Sequence, residues 1–442
     1  MKKFLSVFLL AFCLNSVLVQ ALNFYPQNLE SDSVYMVNCN SGTAVVEKNI
    51  NKRRSPASLT KIMSFIVAYE HSQDRDKTKV TVQKEVLDKV DPESSGVVLR
   101  AGEEISITDL LKCMMISSSG YAANVLANHI GGSIENFVQM MNDKAAELGC
   151  ENTHFENPDG IYNPNHYSTA SDMLKISKYA MNNVEFLNTV SISECNIFGD
   201  ERDPVITTNY MIDKKRGGKY YSPWVKGIKT GYVEDAGKCL ISYAVKDDES
   251  YLIVDMGAPV KDSAGNKLTD NLAMIDSLNL YNWAFDNLKR IKLYDRYFPI
   301  TEVNLASARG KDKLMLESSG DVGVILPSNI KKDDLSFDFE IPEVVQAPIK
   351  KGDKIGTAKI MLQNEQIGNF DLVSSEEVKK SYMVVVMDAL GVVVNSKIFI
   401  FCLAVVVLAI MGYLWLIFRY NRKLRRKNKV TNILDFKKNK PL

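Results

Sequence analysis

The sequence predicts an α/β fold of the α+β kind, followed by a small all-β module and one C-terminal transmembrane helix. Three observations carry that expectation. Leu59, Ile62, Met63, Ile66 and Val67 recur at helical spacing, which buries one stripe of a helix in a core. Strand-like runs then fill 224–233, 238–245 and 251–256, and short alternating runs occupy roughly 290–376. Last, Ile398 to Phe418 contains no charged residue, enough to cross roughly 30 Å of hydrocarbon. The expected organisation is 1–21 a signal peptide, 22–288 the main domain, 289–376 the all-β module, 377–397 a juxtamembrane linker, 398–418 the span and 419–442 a basic tail.

At the start, Lys2 and Lys3 precede an apolar stretch from Phe4 to Val19 that ends in Val19-Gln20-Ala21. That is the pattern of a signal peptide cut after Ala21. Cys13 is a poor lipid-attachment site, because Phe12 before it is too large.

Next comes the segment that carries chemistry. Ser55 is suited to cap a helix and Pro56 to open it, since the missing proline N–H costs nothing in the first turn. Ser58 is then expected in the first turn, where free N–H groups make a positive local field. Lys61 follows three residues later on the same edge, within reach of the Ser58 hydroxyl. A free serine is a poor nucleophile and needs a base to take its proton. A lysine serves only if burial or a second cation lowers its pKa, and Lys229 is the available second cation.

Lys229 lies in Trp224-Val225-Lys226-Gly227-Ile228-Lys229-Thr230-Gly231-Tyr232-Val233, where β-branched and aromatic residues alternate with glycines. The pattern suits a strand that a ligand backbone can approach closely. Gly231 removes a side chain where a peptide would lie, and Thr230 offers a hydroxyl to a terminal carboxylate.

S-x-x-K before K-T-G is the outer frame of the serine penicillin-recognising site. With Asn157-Pro158-Asp159-Gly160 and Asn165-His166-Tyr167-Ser168-Thr169-Ala170, the chain resembles the serine-type D-alanyl-D-alanine carboxypeptidases, the low-molecular-mass penicillin-binding proteins. The resemblance runs from about Asn23 to about Leu288 and continues more weakly beyond. It implies an antiparallel sheet flanked by helices, an all-helical insertion, and a site between them. It also implies removal of the last D-alanine from peptidoglycan pentapeptide stems through a serine acyl-enzyme, with β-lactams as covalent inhibitors. Carried over residue by residue, Ser58, Lys61 and Ser118 are catalytic. Lys229, Thr230, Gly231 and Tyr232 bind substrate, and the backbone N–H groups of Ser58 and Tyr232 meet the oxyanion. His166 matches a histidine of the pattern and is read as structural support.

The chain departs from the family at one motif. Its middle motif, S-x-N, aligns on Ala122-Ala123 with Ser118-Ser119-Gly120, and Tyr121 stands where an acid is usual. Gly120 has no amide to offer the substrate backbone or the lysine, and Asn124 lies one helical turn beyond. If the missing amide limits the site, Gly120→Asn is expected to raise turnover. Two alternatives stay open: a catalytically impaired peptidoglycan-binding relative, and a DD-endopeptidase or β-lactamase-like hydrolase. Against efficient penicillin hydrolysis, Glu185-Phe186-Leu187-Asn188 is one residue short of the E-x-x-L-N spacing that activates a deacylating water.

Other chemistries find no residues. The four histidines show no H-E-x-x-H spacing, and there is no C-x-x-C, no glycine-rich phosphate loop and no G-x-S-x-G elbow. No metal and no cofactor are expected. The near-neutral total of 54 basic and 53 acidic residues hides an asymmetry. Setting aside Lys2, Lys3 and the ten basic and one acidic residues of the tail leaves 42 basic against 52 acidic, a net of −10. An acidic ectodomain is a poor nucleic-acid partner. The five cysteines between signal and span are odd in number and scattered, so they form no disulfide framework and are read as small buried apolar residues.

After Leu288, Val322 to Leu326, Leu335 to Ile341, Ile355 to Leu362 and Glu365 to Leu372 read as strands. No nucleophile or charge constellation marks them, so this module is read as a spacer or docking element. Glu376 to Asn395 links it to the span, in part as a surface helix. Tyr413 and Trp415 sit near the end of the span, and the basic run from Arg419 to Lys429 follows. Positive residues stay inside, so the expected location is the cell membrane, single-pass, with the catalytic domain outside.

Overall fold

The computed structural model describes Tyr25 and residues 28–438. The signal-peptide expectation falls outside the described residues. The chain divides into two compact units, one of 1–296, 320–340 and 357–370, the other of 297–319, 341–356 and 371–442.

The centre of the first unit is a five-stranded sheet. Its order is Ala44–Lys48, Ser33–Asn38, Glu249–Ala258, Gly237–Lys246 and Val225–Val233, with every neighbour antiparallel. The strands expected at 238–245 and 251–256 are both here, each slightly longer. The hairpin at 33–48 joins them from more than 200 residues away, a pairing that local pattern does not reveal. Side chains alternate between the faces of a strand, and both faces of this sheet are covered. Tyr35, Val37, Ile241, Leu252 and Val254 pack into one apolar cluster, and Val34, Met36, Leu240, Ala244 and Ile253 into another.

The second cluster is closed by the helix Leu272–Asn287. The first is shared with a helical layer: Lys61–Glu70, Ile107–Ile116, Gly120–Gly131, Ile134–Glu147, Ala170–Met181 and Val184–Val190. Their starts are marked chemically. Ser106, Ser119, Ser133 and Thr169 each accept a hydrogen bond from a backbone N–H three residues on, satisfying donors that a helix end leaves free. Gly132, at φ 72°, ends the Gly120–Gly131 helix in the left-handed conformation glycine tolerates. An antiparallel sheet with a helical insertion, as the resemblance implied, is what the unit contains.

From Leu288 to Ser374 the described chain forms strands and one short 3-10 turn at Lys332–Asp334. Within the first unit Leu288–Tyr294 pairs with Val322–Pro327, and Leu335–Glu340 with Lys354–Leu362, both antiparallel. Within the second unit Pro299–Ala306 pairs antiparallel with Lys313–Ser318 and parallel with Val344–Gln346. The strands at 288–294, 299–306 and 313–318 were not read in sequence, because charged residues break their alternation. Two helices end the second unit, Tyr382–Val394 and the 42-residue Lys397–Lys438. The latter holds a window long and apolar enough to cross a membrane, within Lys397–Arg426.

Candidate active site

Ser58 does not sit in an α-helix. Ala57–Thr60 is a 3-10 turn, Pro56 is its cap, and the α-helix begins at Lys61. Ser55 makes only a long contact, from Ala57 N to its Oγ at 3.4 Å, so the expected serine cap gives way to this turn. The turn is held by close backbone approach. A Cβ on Gly160, at φ +86°, would fall 2.0 Å from Ala57 O, and one on Gly231 would lie 3.2 Å from Ser58 N. Both glycines therefore let neighbouring segments close on Ser58.

The spacing argument for Lys61 holds in three dimensions. Lys61 Nζ donates to Ser58 Oγ at 2.9 Å and to the main-chain oxygen of Asp159 at 2.5 Å. Its side chain is 2% exposed, and burial lowers its pKa to about 8, with the Asp159 carboxylate pulling the other way. Lys229, on the edge strand Val225–Val233, is equally buried and donates to Ser118 Oγ and to Thr230 O, each at 2.9 Å. Burial, then repulsion from Lys61, lowers its pKa well below the usual lysine range. The order of causes differs from the sequence expectation: burial is what weakens Lys61 as an acid holder, while the lysine–lysine repulsion falls on Lys229.

The serine run sorts itself by hydrogen bonds. Ser117 Oγ donates to Cys113 O, Ser119 caps the helix Gly120–Gly131, and Ser118 alone of the three meets a lysine. Ser118 has φ 65°, a left-handed conformation that costs a non-glycine residue about 1–3 kcal/mol and clusters at functional sites. Asn124 does not reach in. Its Nδ2 donates to Gly120 O at 2.9 Å, so its amide is spent within its own helix.

Ser58, Lys61, Ser118, Thr230, Gly231 and Tyr232 line one cleft of about 430 Å³. Thr208, which no motif marked, lies in the same cleft with its Oγ1 2.5 Å from Thr230 Oγ1. Ser94 and Asp159 also face it. Neither Thr208 nor Ser94 belongs to a periodic segment, so the sequence carried no signal for them. His166 is buried outside the reacting atoms. Glu156 N donates to its Nδ1 at 3.2 Å, which leaves the proton on Nε2 for Thr60 Oγ1 at 2.8 Å. Burial depresses its pKa to about 3, so it is a neutral prop for the turn. Glu185 lies on the helix Val184–Val190, paired with Arg75 at 3.4 Å. It lines a separate cavity of about 710 Å³ with Phe65 and Tyr179. That larger cavity holds no nucleophile beside a base.

Comparison with known proteins finds two matching families along the chain. Residues 20–260 match the D-alanyl-D-alanine carboxypeptidase family, and residues 290–380 match the C-terminal domain of penicillin-binding protein 5. The D-alanyl-D-alanine carboxypeptidase DacF of Bacillus subtilis is 29% identical over 358 residues, 80% of this chain and 87% of that one. A D-alanyl-D-alanine carboxypeptidase of Streptomyces sp. strain K15 is 30% identical over 244 residues, 53% of this chain and 84% of its own. Among solved structures, penicillin-binding protein 5 of Haemophilus influenzae superposes with TM-score 0.65 at 26% identity, covering 80% of this chain and 99% of that one.

Proposed function

This chain belongs to the D-alanyl-D-alanine carboxypeptidase family and is a serine-type enzyme of that class; from that premise we propose that it removes the terminal D-alanine of peptidoglycan pentapeptide stems through an acyl-enzyme on Ser58. The observation that carries the reading is the Ser58 Oγ–Lys61 Nζ hydrogen bond of 2.9 Å beside a second buried lysine that holds Ser118.

In this reading the neutral fraction of Lys61 takes the Ser58 proton as Oγ attacks the carbonyl of the penultimate D-alanine. The oxyanion is met by the N–H groups of Ser58 and Tyr232, each such donor typically worth about 10²–10³ in rate. The proton that Lys61 took passes by way of Ser118, held by Lys229, to the leaving amine, so that D-alanine departs and Lys61 is neutral again. Water then hydrolyses the ester, with Lys61 again the base. Thr230, joined by Thr208, receives the terminal carboxylate. Gly231 leaves room for the stem peptide to run along the edge strand. A β-lactam enters the same way and remains as the ester. The impaired-relative and endopeptidase readings find no separate support, because the nucleophile and base are paired.

We assign the domains as 22–288 catalytic and 289–376 all-β, preceded by a signal peptide over 1–21. A linker at 377–397, a span at 398–418 and a basic cytoplasmic tail at 419–442 place the cleft outside the cell membrane. The test is direct. Ser58→Ala is expected to abolish D-alanine release and labelling by benzylpenicillin, since loss of such a nucleophile costs on the order of 10⁶ in rate. Intact mass after incubation with the drug reads the adduct. A persistent adduct on the variant sinks the assignment.

A further inference from the structure

Gly120 stands where the family pattern has an amide, and the space in front of it is not empty. A Cβ built on Gly120 would lie 2.7 Å from Ser94 Oγ and 2.9 Å from Asp159 Oδ2. Those two groups are joined, Ser94 Oγ donating to Asp159 Oδ2 at 2.8 Å. Both line the cleft that holds Ser58, Lys61 and Ser118. From the juxtaposition of these two side chains with the bare Cα of Gly120, we infer that Ser94 and Asp159 together supply the substrate-facing polar group that residue 120 lacks, and that they hold the backbone of the scissile peptide. The inference rests on the carboxypeptidase reading above and deepens it.

The pair is positioned by its surroundings. The loop that carries Ser94 is fastened to the segment 117–120 by several bonds: Gly120 N to Ser95 O at 3.0 Å, Ser95 Oγ to Ser118 O at 3.3 Å, Val97 N to Ser117 Oγ at 3.2 Å, and Ser119 Oγ to Val97 O at 2.5 Å. Gly96, at φ +87°, permits this contact, since a Cβ there would be 2.4 Å from Ser119 N. Asp159 is 5% exposed, and its main-chain oxygen accepts from Lys61 Nζ at 2.5 Å and from Ser58 Oγ at 3.4 Å. One residue thus ties the pair to the nucleophile and its base.

The chemistry of the pair differs from that of an amide. An asparagine offers both a carbonyl acceptor and two N–H donors. Here the Ser94 proton is committed to Asp159, so the hydroxyl oxygen and the carboxylate both present acceptors. They suit an N–H of the stem peptide, and a hydrogen bond to a charged acceptor is among the stronger ones. With the pair in place, an amide added at 120 is expected not to improve the site, because the side chain would start inside Ser94.

The experiment uses the full-length protein in detergent, in four forms: wild type, Ser94→Gly, Gly120→Asn, and both changes together. D-Alanine release from a pentapeptide and the rate of acylation by benzylpenicillin are read on each, with thermal midpoints to monitor folding. Ser94→Gly is expected to lose roughly ten- to a hundredfold in kcat/KM for the peptide, the scale of one charge-assisted hydrogen bond. Gly120→Asn alone should also lose activity by collision. The double variant should recover most of the loss, because removing the Ser94 side chain opens most of the space an asparagine needs and frees the Asp159 carboxylate, 2.9 Å from that Cβ, to turn aside. A purely structural role for Ser94 predicts no recovery. Wild-type kinetics in Ser94→Gly, or additive losses in the double variant, overturn the inference and leave the carboxypeptidase reading standing. A wild type that neither releases D-alanine nor takes up penicillin overturns both.

Discussion

At the scale of single residues, the proposed acyl-enzyme route makes the protonation of Lys61 set the working pH. A base must be neutral to act, and burial brings this lysine down to about 8. Acylation at low substrate should therefore climb as pH rises through 8, by roughly tenfold between pH 7 and pH 9. Asp159 opposes the shift, so Asp159→Asn should move the midpoint to lower pH while the plateau falls with the loss of a substrate acceptor. A pH profile of benzylpenicillin acylation on both proteins checks this. A profile flat from pH 6 to pH 9, or a midpoint that moves upward in the variant, would exclude Lys61 as the base. The sequence made Ser58 and Lys61 legible because a fixed spacing brings them together, and Lys229 legible because it opens a K-T-G within a strand pattern. Ser94 and Thr208 were not legible, since each reaches the cleft from an irregular segment whose path is set by long-range contacts. Asn124 shows the opposite failure: its position one turn from Gly120 invited a role, but its amide bonds to the helix carbonyl beneath it.

At the scale of elements, the nucleophile depends on where backbone segments cross. Periodicity marks the apolar stripe of the helix Lys61–Glu70, yet it cannot distinguish a first α-turn from the 3-10 turn that holds Ser58. The distinction comes from Gly160 and Gly231, which lie 102 and 173 positions further along and pack against Pro56, Ala57 and Ser58. Gly160→Ala tests that dependence. A left-handed φ costs an L-residue about 1–2 kcal/mol, and a Cβ 2.0 Å from Ala57 O cannot be accommodated unless the turn moves. A displacement near 1 Å at a reacting group costs on the order of a hundredfold. Acylation by penicillin should fall at least that far, with a lowered thermal midpoint. An unchanged acylation rate in the folded variant would show that the turn does not need this contact. The sheet itself was half legible: the strands after Lys229 read correctly, whereas the hairpin at 33–48 becomes a sheet only through its pairing with Glu249–Ala258.

At the scale of the whole molecule, we extend the proposed membrane attachment from the span to the helix that precedes it. If the uncharged run from Ile398 were the whole anchor, a chain ending just before it would be free in solution. The helix Tyr382–Val394 changes that expectation. Tyr382, Met383, Val386, Met387, Leu390 and Val393 are all more than half exposed, and only Asn395 and Ser396 separate this helix from Lys397–Lys438. An apolar helix of 13 residues rises about 20 Å, too short to cross a bilayer and long enough to lie in its interface. A chain ending at Lys397 should accordingly still sediment with lipid vesicles, one ending at Glu377 should stay in solution, and the full chain should need detergent. Both shortened chains should acylate with benzylpenicillin at the full-length rate, because the residues that line the cleft fall between Ser58 and Met274. Vesicle sedimentation and adduct mass measure the two properties on the same samples. Equal solubility of the two shortened chains would return the anchor to the span alone. Loss of acylation on shortening would mean instead that the terminal helices support the cleft, a link that nothing in its hydrogen bonding requires.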